Sequence, residues 1–165
     1  MPASDNPTAP RRQYRVYVVR LDPKVLNERG FLRANPQHDP RKSCVYVGST
    51  GLPPEERFIQ HKNGIKANKF AKVYGLGLMR SLMERRTPAR TQLIAVRQEA
   101  AFARRLRKAG YAVWPKEEAY PREIAKLEAK RREKLAERAR KAREHRREQA
   151  IARRASSGGR KSPIS

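Results

Sequence analysis

Arg57 and His61 lie four residues apart in this 165-residue chain, a spacing that puts both side chains on one face of a helix. A guanidinium binds phosphate through paired hydrogen bonds, and an imidazole changes its charge near neutral pH. A solvated helix surface would explain either residue on its own. Together, and directly after a glycine-containing segment, they favour contact with a phosphate group.

Glu99 is the only acidic residue between positions 84 and 117, and it lies on the same helical stripe as Val96, Ala103 and Leu106. A buried carboxylate normally has a partner, so an ion pair with a nearby arginine is one interpretation. The other is a metal ligand or general base, because nucleases often hold Mg²⁺ with few carboxylates while phosphate and water complete the coordination. Both interpretations stay open at the level of the residues.

Tyr17 and Tyr46 each follow a valine in a segment rich in strand-forming residues. If the two strands pair, the phenols share one face of the sheet. They would then form either an aromatic cross-strand pair in the core or a pair of phenols that orients an attacking water in a cleft.

Short elements must position these side chains. The alternation in residues 14–21 predicts a strand, residues 43–47 predict a second strand, and Gly48 marks a structural turn after it. Residues 54–63 predict a helix, because proline suits the first turn and an Asn-Gly pair follows as a stop signal.

A second helix is predicted after Thr87, which is a good N-cap and precedes Pro88 at the first helical position. Gly110 is predicted to end this helix, so the helix would span about twenty residues. Residues 76–82 predict a third strand, and residues 111–114 form a short apolar run of strand type.

Residues 22–42 are rich in Pro, Asn, Asp and Arg, which predicts a long inserted basic loop on the surface. Such a loop is either a flap over a bound polyanion or a merely solvated connection. Residues 1–13 and 156–165 predict a disordered arm and a flexible tail.

Positive charge is the strongest global signal, with a formal net charge of +24. Residues 116–165 carry +9 and the first 115 residues carry +15, so both parts are basic. Residues 116–155 predict a solvent-exposed basic helix, in which ion pairs such as Glu137 with Lys141 each contribute about 0.2–0.5 kcal/mol. A charge of this size indicates a polyanionic partner, which we expect to be nucleic acid.

Other classes of protein fit the composition poorly. No stretch is long and apolar enough to span a bilayer, so we expect no membrane partner. A single cysteine, Cys44, excludes an intrachain disulfide framework and is expected to be a buried thiol. The N-terminus has no apolar signal-peptide core, so the expected location is the cytoplasm.

Residues 14–114 resemble the GIY-YIG nuclease superfamily. The first signature strand corresponds to Arg15-Val16-Tyr17 and the second, much closer, to Tyr46-Val47-Gly48. The helix arginine, the histidine one turn on and the later helix glutamate fall at Arg57, His61 and Glu99. Two features depart from the family: Arg15 stands where the first signature has glycine, and the interval between the signature strands is longer.

The resemblance implies an α+β domain at 14–115 with a small three-stranded antiparallel sheet flanked by helices. It also implies that Tyr17 and Tyr46 position or deprotonate the nucleophile and that Arg57 stabilises the charge on the phosphoryl oxygens. Glu99 would bind one Mg²⁺, with Mn²⁺ as an alternative. His61 would assist at the phosphate or act as an acid-base group.

We therefore expect a metal-dependent endonuclease that hydrolyses nucleic acid, with DNA as the first candidate. The alternative is a catalytically silent DNA- or RNA-binding protein that keeps the same fold. The basic residues around the site are candidate phosphate contacts: Arg15, Arg41, Lys42, Lys62, Lys66 and Lys69.

Overall fold

A computed structural model describes residues 13–83 and 86–157 and has an α+β architecture. A short 3-10 helix (Pro23–Asn27) accompanies the longer elements. Those elements are β1 (Arg15–Leu21), α1 (Arg29–Ala34), β2 (Cys44–Thr50), α2 (Pro54–Lys62), α3 (Lys69–Tyr74), β3 (Gly75–Leu78), α4 (Arg80–Met83), α5 (Gln92–Lys108), β4 (Ala112–Trp114) and α6 (Ala119–Ser157). Apart from Gln13 and the last two residues of α6, the predicted arm and tail lie outside the described residues.

The sheet has four strands in the order β3-β1-β2-β4. β1 runs antiparallel to both β2 and β3, whereas β4 runs parallel to β2. The expected three antiparallel strands are present as β3, β1 and β2, but the sheet also has a fourth strand, β4, which is parallel. A parallel pairing needs a long crossover, and the helices between β2 and β4 provide it.

Helices cover both faces of β1. Tyr17, Val19 and Leu21 belong to an apolar cluster with Phe31 and Phe70 on one face of the sheet. The intervening valines point to the opposite face by the alternation of the strand, and α5 packs against β1 and β2. Four consecutive residues of β1, from position 16 to 19, are consequently buried.

The segment at 22–42 is more structured than the predicted inserted loop. It contains the 3-10 helix and α1, and it buries Val25, Phe31 and Asn35. The apolar residues are few and widely spaced, so the sequence looks polar although each of them is inserted into the core. This segment therefore helps to build the domain.

Two predicted boundaries are wrong. Thr91, and not Thr87, caps α5 by accepting a hydrogen bond from the backbone N–H of Ile94. The chain before it is extended, because Ala89 forms a β-bridge with Tyr14. The third strand ends at Leu78, and α4 follows within the range predicted as strand.

The chain divides into two compact units after Ala125. The first turn of α6 belongs to the first unit, where Tyr120 is only 3% exposed. In the second unit, residues 129–156 are all exposed, and Glu137 pairs with Lys141 at 2.8 Å as predicted. Among the described residues, no helix combines the length and apolar character needed to cross a bilayer.

The side chain of Asn35 joins β4 to the segment before β2 through hydrogen bonds. Its amide oxygen accepts from the backbone N–H of Val113 at 2.7 Å, and its amide nitrogen donates to the carbonyl oxygens of Val113 and Phe31.

Asn35→Ala would leave the buried N–H of Val113 without a partner. We expect a loss of about 2 kcal/mol in the free energy of unfolding, measured by urea denaturation. Asn63→Ala, at an exposed asparagine, is the control and should change stability by less than about 0.5 kcal/mol. Equal losses in both variants would contradict this role.

Candidate active site

Tyr17, Tyr46 and His61 form an aromatic cluster on one face of the sheet. The strand register places Tyr17 opposite Gly48 and Tyr46 opposite Val19, so the two phenols lie diagonally across the β1-β2 pair. Their ring centroids are 6.0 Å apart, and the His61 ring lies 6.1 Å from Tyr17 and 5.3 Å from Tyr46. The predicted alignment of the two phenols is therefore present.

Gly48 allows this arrangement by lacking a side chain. It lies inside β2 and not in the predicted turn, which comes after Thr50. A Cβ atom at Gly48 would lie 2.8 Å from both Cζ and the hydroxyl oxygen of Tyr17. The phenol of Tyr17 thus lies directly on the backbone of β2.

The hydrogen bonds of His61 define its tautomer. The backbone N–H of Asn68 donates to Nδ1 at 3.0 Å, so Nδ1 carries no proton. Burial, with the charge of Arg57, lowers the pKa of His61 to about 4, so the ring is neutral at physiological pH. The proton must therefore be on Nε2, which donates to the Tyr17 hydroxyl oxygen at 2.7 Å.

This geometry gives His61 a different role from the one the resemblance implies. Its side chain is fully buried, and both ring nitrogens are engaged within the protein. His61 therefore positions the hydroxyl of Tyr17. Because Tyr17 accepts from His61, its own O–H is not used in that bond, but the side chain is only 1% exposed and a substrate or water would have to reach it inside the protein.

The phenol of Tyr17 is held in its neutral form. Burial raises its pKa to about 12, although the charge of Arg57 and a hydrogen bond from Tyr46 oppose this rise. Burial also raises the pKa of Tyr46, and the neighbouring Tyr17 adds to the effect. Both phenols are therefore hydrogen-bond donors at neutral pH.

The guanidinium of Arg57 is anchored to the loop that follows α2. It donates to the carbonyl oxygens of Ile65 at 3.1 Å and Lys66 at 2.8 Å, and to the side chain of Gln60 at 3.1 Å. Arginine has five N–H donors, so this anchoring leaves donor capacity for a ligand. Arg57 also lines a groove of about 390 Å³, together with Ser49 and other residues at the end of β2.

Glu99 is buried as predicted, with 6% exposure, and it is electrostatically part of the same cluster. Its charge raises the pKa of both Tyr17 and Tyr46. Burial raises the pKa of Glu99 itself to about 8, and hydrogen bonding from Ser49 only partly offsets this. Without a bound cation, the carboxyl is therefore mostly protonated at neutral pH.

Two residues of the first turn of α6 belong to this site and were missed in the sequence. Tyr120 is close enough to Glu99 to influence its pKa, but the buried hydroxyl makes no hydrogen bond of standard geometry. Glu123 raises the pKa of Glu99 through its charge. The only available signal was that Tyr120 is the single aromatic residue in an otherwise charged segment.

The residues present fit a cation only in part. Within the described ranges, no group of three His, Cys, Asp or Glu side chains could hold a metal ion. Glu99 and the nearby Glu123 provide carboxylate oxygens, which are the ligands that Mg²⁺ prefers. A metal at Glu99 would therefore need substrate phosphate and water to complete its coordination.

The predicted phosphate contacts divide into two groups. Arg41 and Lys69 each pair with a carboxylate at 3.0 Å, and Lys62 donates to two backbone carbonyl oxygens. Lys42 lies over the ring of a tyrosine. The two remaining residues line grooves in the structure: Arg15 and Lys66.

A scan against protein-family models, a search of curated proteins and a search of solved structures each returned no match for this chain. Geometry and electrostatics are therefore what supports a function for the site.

Gly48→Ala should disturb the site directly, because the added Cβ collides with the phenol of Tyr17. We expect a loss of about 1–3 kcal/mol in the free energy of unfolding, measured by urea denaturation. Gly77→Ala is the matched control, since it also lies in a strand and a Cβ there meets nothing within 4 Å. A Gly48→Ala variant as stable as the Gly77→Ala variant would show that the close contact is unimportant.

The raised pKa of Glu99 predicts a pH-dependent stability. Between its ordinary value of 4.5 and about 8, the folded chain holds a proton that the unfolded chain has released, so stability falls as pH rises. His61 has the opposite effect, but only between about 4 and 6.5. In metal-free buffer from about pH 6.5 to 8, the wild type should lose up to about 1.4 kcal/mol per pH unit relative to Glu99→Gln. Parallel stability curves for the two proteins would rule out this titration.

Proposed function

We propose that this protein is a metal-dependent endonuclease that hydrolyses phosphodiester bonds in nucleic acid, with DNA as the first candidate substrate. The observation that carries the proposal is the electrostatic coupling of Tyr17, Tyr46, Arg57 and Glu99, which come from four different elements: the charges of Arg57 and Glu99 both shift the pKa values of the two phenols. Two phenols, a guanidinium and a buried carboxylate are the groups needed to align a water and to offset charge on a phosphate. The same four residues carry the resemblance to the GIY-YIG superfamily.

Tyr17 would align the attacking water. As a neutral phenol anchored by His61, it would donate a hydrogen bond to the water oxygen or to a phosphate oxygen, and its position is fixed by the packing on Gly48. Tyr46 packs against the rings of Tyr17 and His61. The water oxygen would then bond to phosphorus as the ester P–O bond breaks, and the proton lost by the water would pass, directly or through solvent, to the leaving oxygen.

Arg57 would offset the negative charge that develops on the phosphoryl oxygens. The loop carbonyls already hold its guanidinium, so little reorganisation is needed at the moment of reaction. Mg²⁺ bound at Glu99, or Mn²⁺ in its place, would supply further positive charge at the phosphate. Such a cation would also favour the ionised carboxylate over the protonated one.

The high pKa of Glu99 equally supports the alternative of a silent nucleic-acid-binding protein. A carboxyl that is mostly protonated at neutral pH would not attract a cation strongly. The two functions differ in one measurable property, because only the nuclease requires a divalent cation. Cleavage assays on duplex, flap, nicked and RNA substrates, with Mg²⁺ or with EDTA, separate them.

Glu99→Gln should abolish metal-dependent cleavage while leaving nucleic-acid binding within about twofold of the wild type. Loss of a group that stabilises the transition state costs about 10²–10³ in rate. Glu55→Gln is the control, because it removes an exposed carboxylate that only pairs with Arg80. The nuclease proposal would be wrong if Glu99→Gln still cleaved at the wild-type rate. Binding without cleavage of any substrate by the wild type would favour the alternative.

A further inference from the structure

A second basic groove lies beside the candidate active site. It has a volume of about 500 Å³, and three arginines line it together with the polar side chains of Thr87 and Gln98. The three arginines are Arg15, Arg86 and Arg105. They come from β1, from the extended segment before α5 and from α5 itself, so the tertiary structure alone brings them together.

The guanidinium groups of Arg86 and Arg105 both lie over one aromatic ring. The guanidinium carbon of Arg86 lies 3.3 Å from the centroid of the Phe102 ring, and that of Arg105 lies 5.8 Å from it. Stacking on an aromatic face orients a guanidinium without using its N–H donors. Among the residues that the structure describes, the Arg86 guanidinium donates one hydrogen bond, from Nε to the carbonyl oxygen of Leu82 at 3.4 Å.

The positive charges of Arg86 and Arg105 repel each other. Burial and the charge of Arg105 lower the pKa of the Arg86 guanidinium, which shows that its positive charge is unfavourably placed. Within residues 13–83 and 86–157, no carboxylate forms an ion pair with Arg15, Arg86 or Arg105. A bound anion would relieve the repulsion and use the free N–H donors.

The groove shares two elements with the candidate active site. Arg15 lies two residues before Tyr17, so both side chains leave β1 on the same face. Pro54 also lines the groove, and it begins the helix that carries Arg57. The groove is therefore built in part from the strand that carries Tyr17 and the helix that carries Arg57.

We propose that this arginine groove binds a backbone phosphate of the nucleic-acid strand, next to the phosphate that is cleaved. The proposal deepens the proposed function and rests on it for the identity of the ligand. Guanidinium groups hold a phosphate through paired hydrogen bonds, and such contacts position a strand without reading its sequence. Arg15 thereby gains a role in place of the glycine that the resemblance would require.

The test is the salt dependence of binding by the full chain to a short DNA duplex in EDTA, where no hydrolysis occurs. Each lost phosphate contact reduces the slope of log K against log salt concentration by about 0.9. Arg86→Gln combined with Arg105→Gln removes most of the contact with this one phosphate and should therefore reduce the slope by about 0.9. Arg105→Gln alone, at an exposed position that is not needed for folding, should reduce it by about half as much.

The control removes two equal charges from the same unit, outside the groove. Arg20→Gln combined with Arg104→Gln replaces one exposed arginine in β1 and one in α5 that pairs with Glu117. It should change the slope much less than the groove variants do. If Arg105→Gln and the double groove variant both match this control, the groove binds no phosphate.

Cleavage kinetics separate this inference from the proposed function. In an active enzyme, the groove variants should raise KM and leave kcat near the wild-type value, because the groove contacts a phosphate that does not react. A loss of kcat at unchanged KM would overturn the inference. If the wild type cleaves nothing but the groove variants still weaken binding, the groove stands and the nuclease activity fails.

Discussion

The close packing of Tyr17 on Gly48 is the constraint on which the candidate site depends. It requires a strand position without a side chain, directly opposite the tyrosine in the β1-β2 register. A shift of one residue would move the phenol to the other face of the sheet. His61 then fixes the hydroxyl from α2, and the backbone of Asn68 fixes His61. The orientation of one phenol is thus determined by two strands, a helix and a loop.

Burial gives the site its electrostatic character. Tyr17, His61 and Glu99 all have pKa values displaced toward the neutral form, and in each case removal from water is the main cause. The site therefore has little net charge of its own in a chain with a formal charge of +24. Arg57 is the positive group close to these side chains, and it lowers the pKa of both Tyr17 and His61. A phosphate would bring the opposite charge to this position.

The boundary of the domain also follows from burial. A change of composition after position 115 favours a separate charged helix, yet Tyr120 is inserted into the first unit and lies near Glu99. The first turn of α6 is therefore part of the domain that carries the site. Similarly, the polar-looking segment at 22–42 contributes Phe31 to the core and Asn35 to the attachment of β4. Composition averages over a segment, whereas packing depends on single side chains.

Local patterns in the sequence were sufficient to predict β1, β2, α2, the inward position of Glu99 and the exposed basic helix. Alternation, helix periodicity and stop signals act within a few residues, so they can be recognised along the chain. The parallel pairing of the fourth strand, the N-cap of α5, the role of His61 and the convergence of Arg15, Arg86 and Arg105 were decided by the tertiary structure. Each of these depends on contacts between residues far apart in sequence: the parallel pairing of β4, the bridge from Tyr14 to Ala89, the hydrogen bond from His61 to Tyr17, and the shared ring of Phe102. No local pattern encodes such distances, and they arise only when the elements pack together.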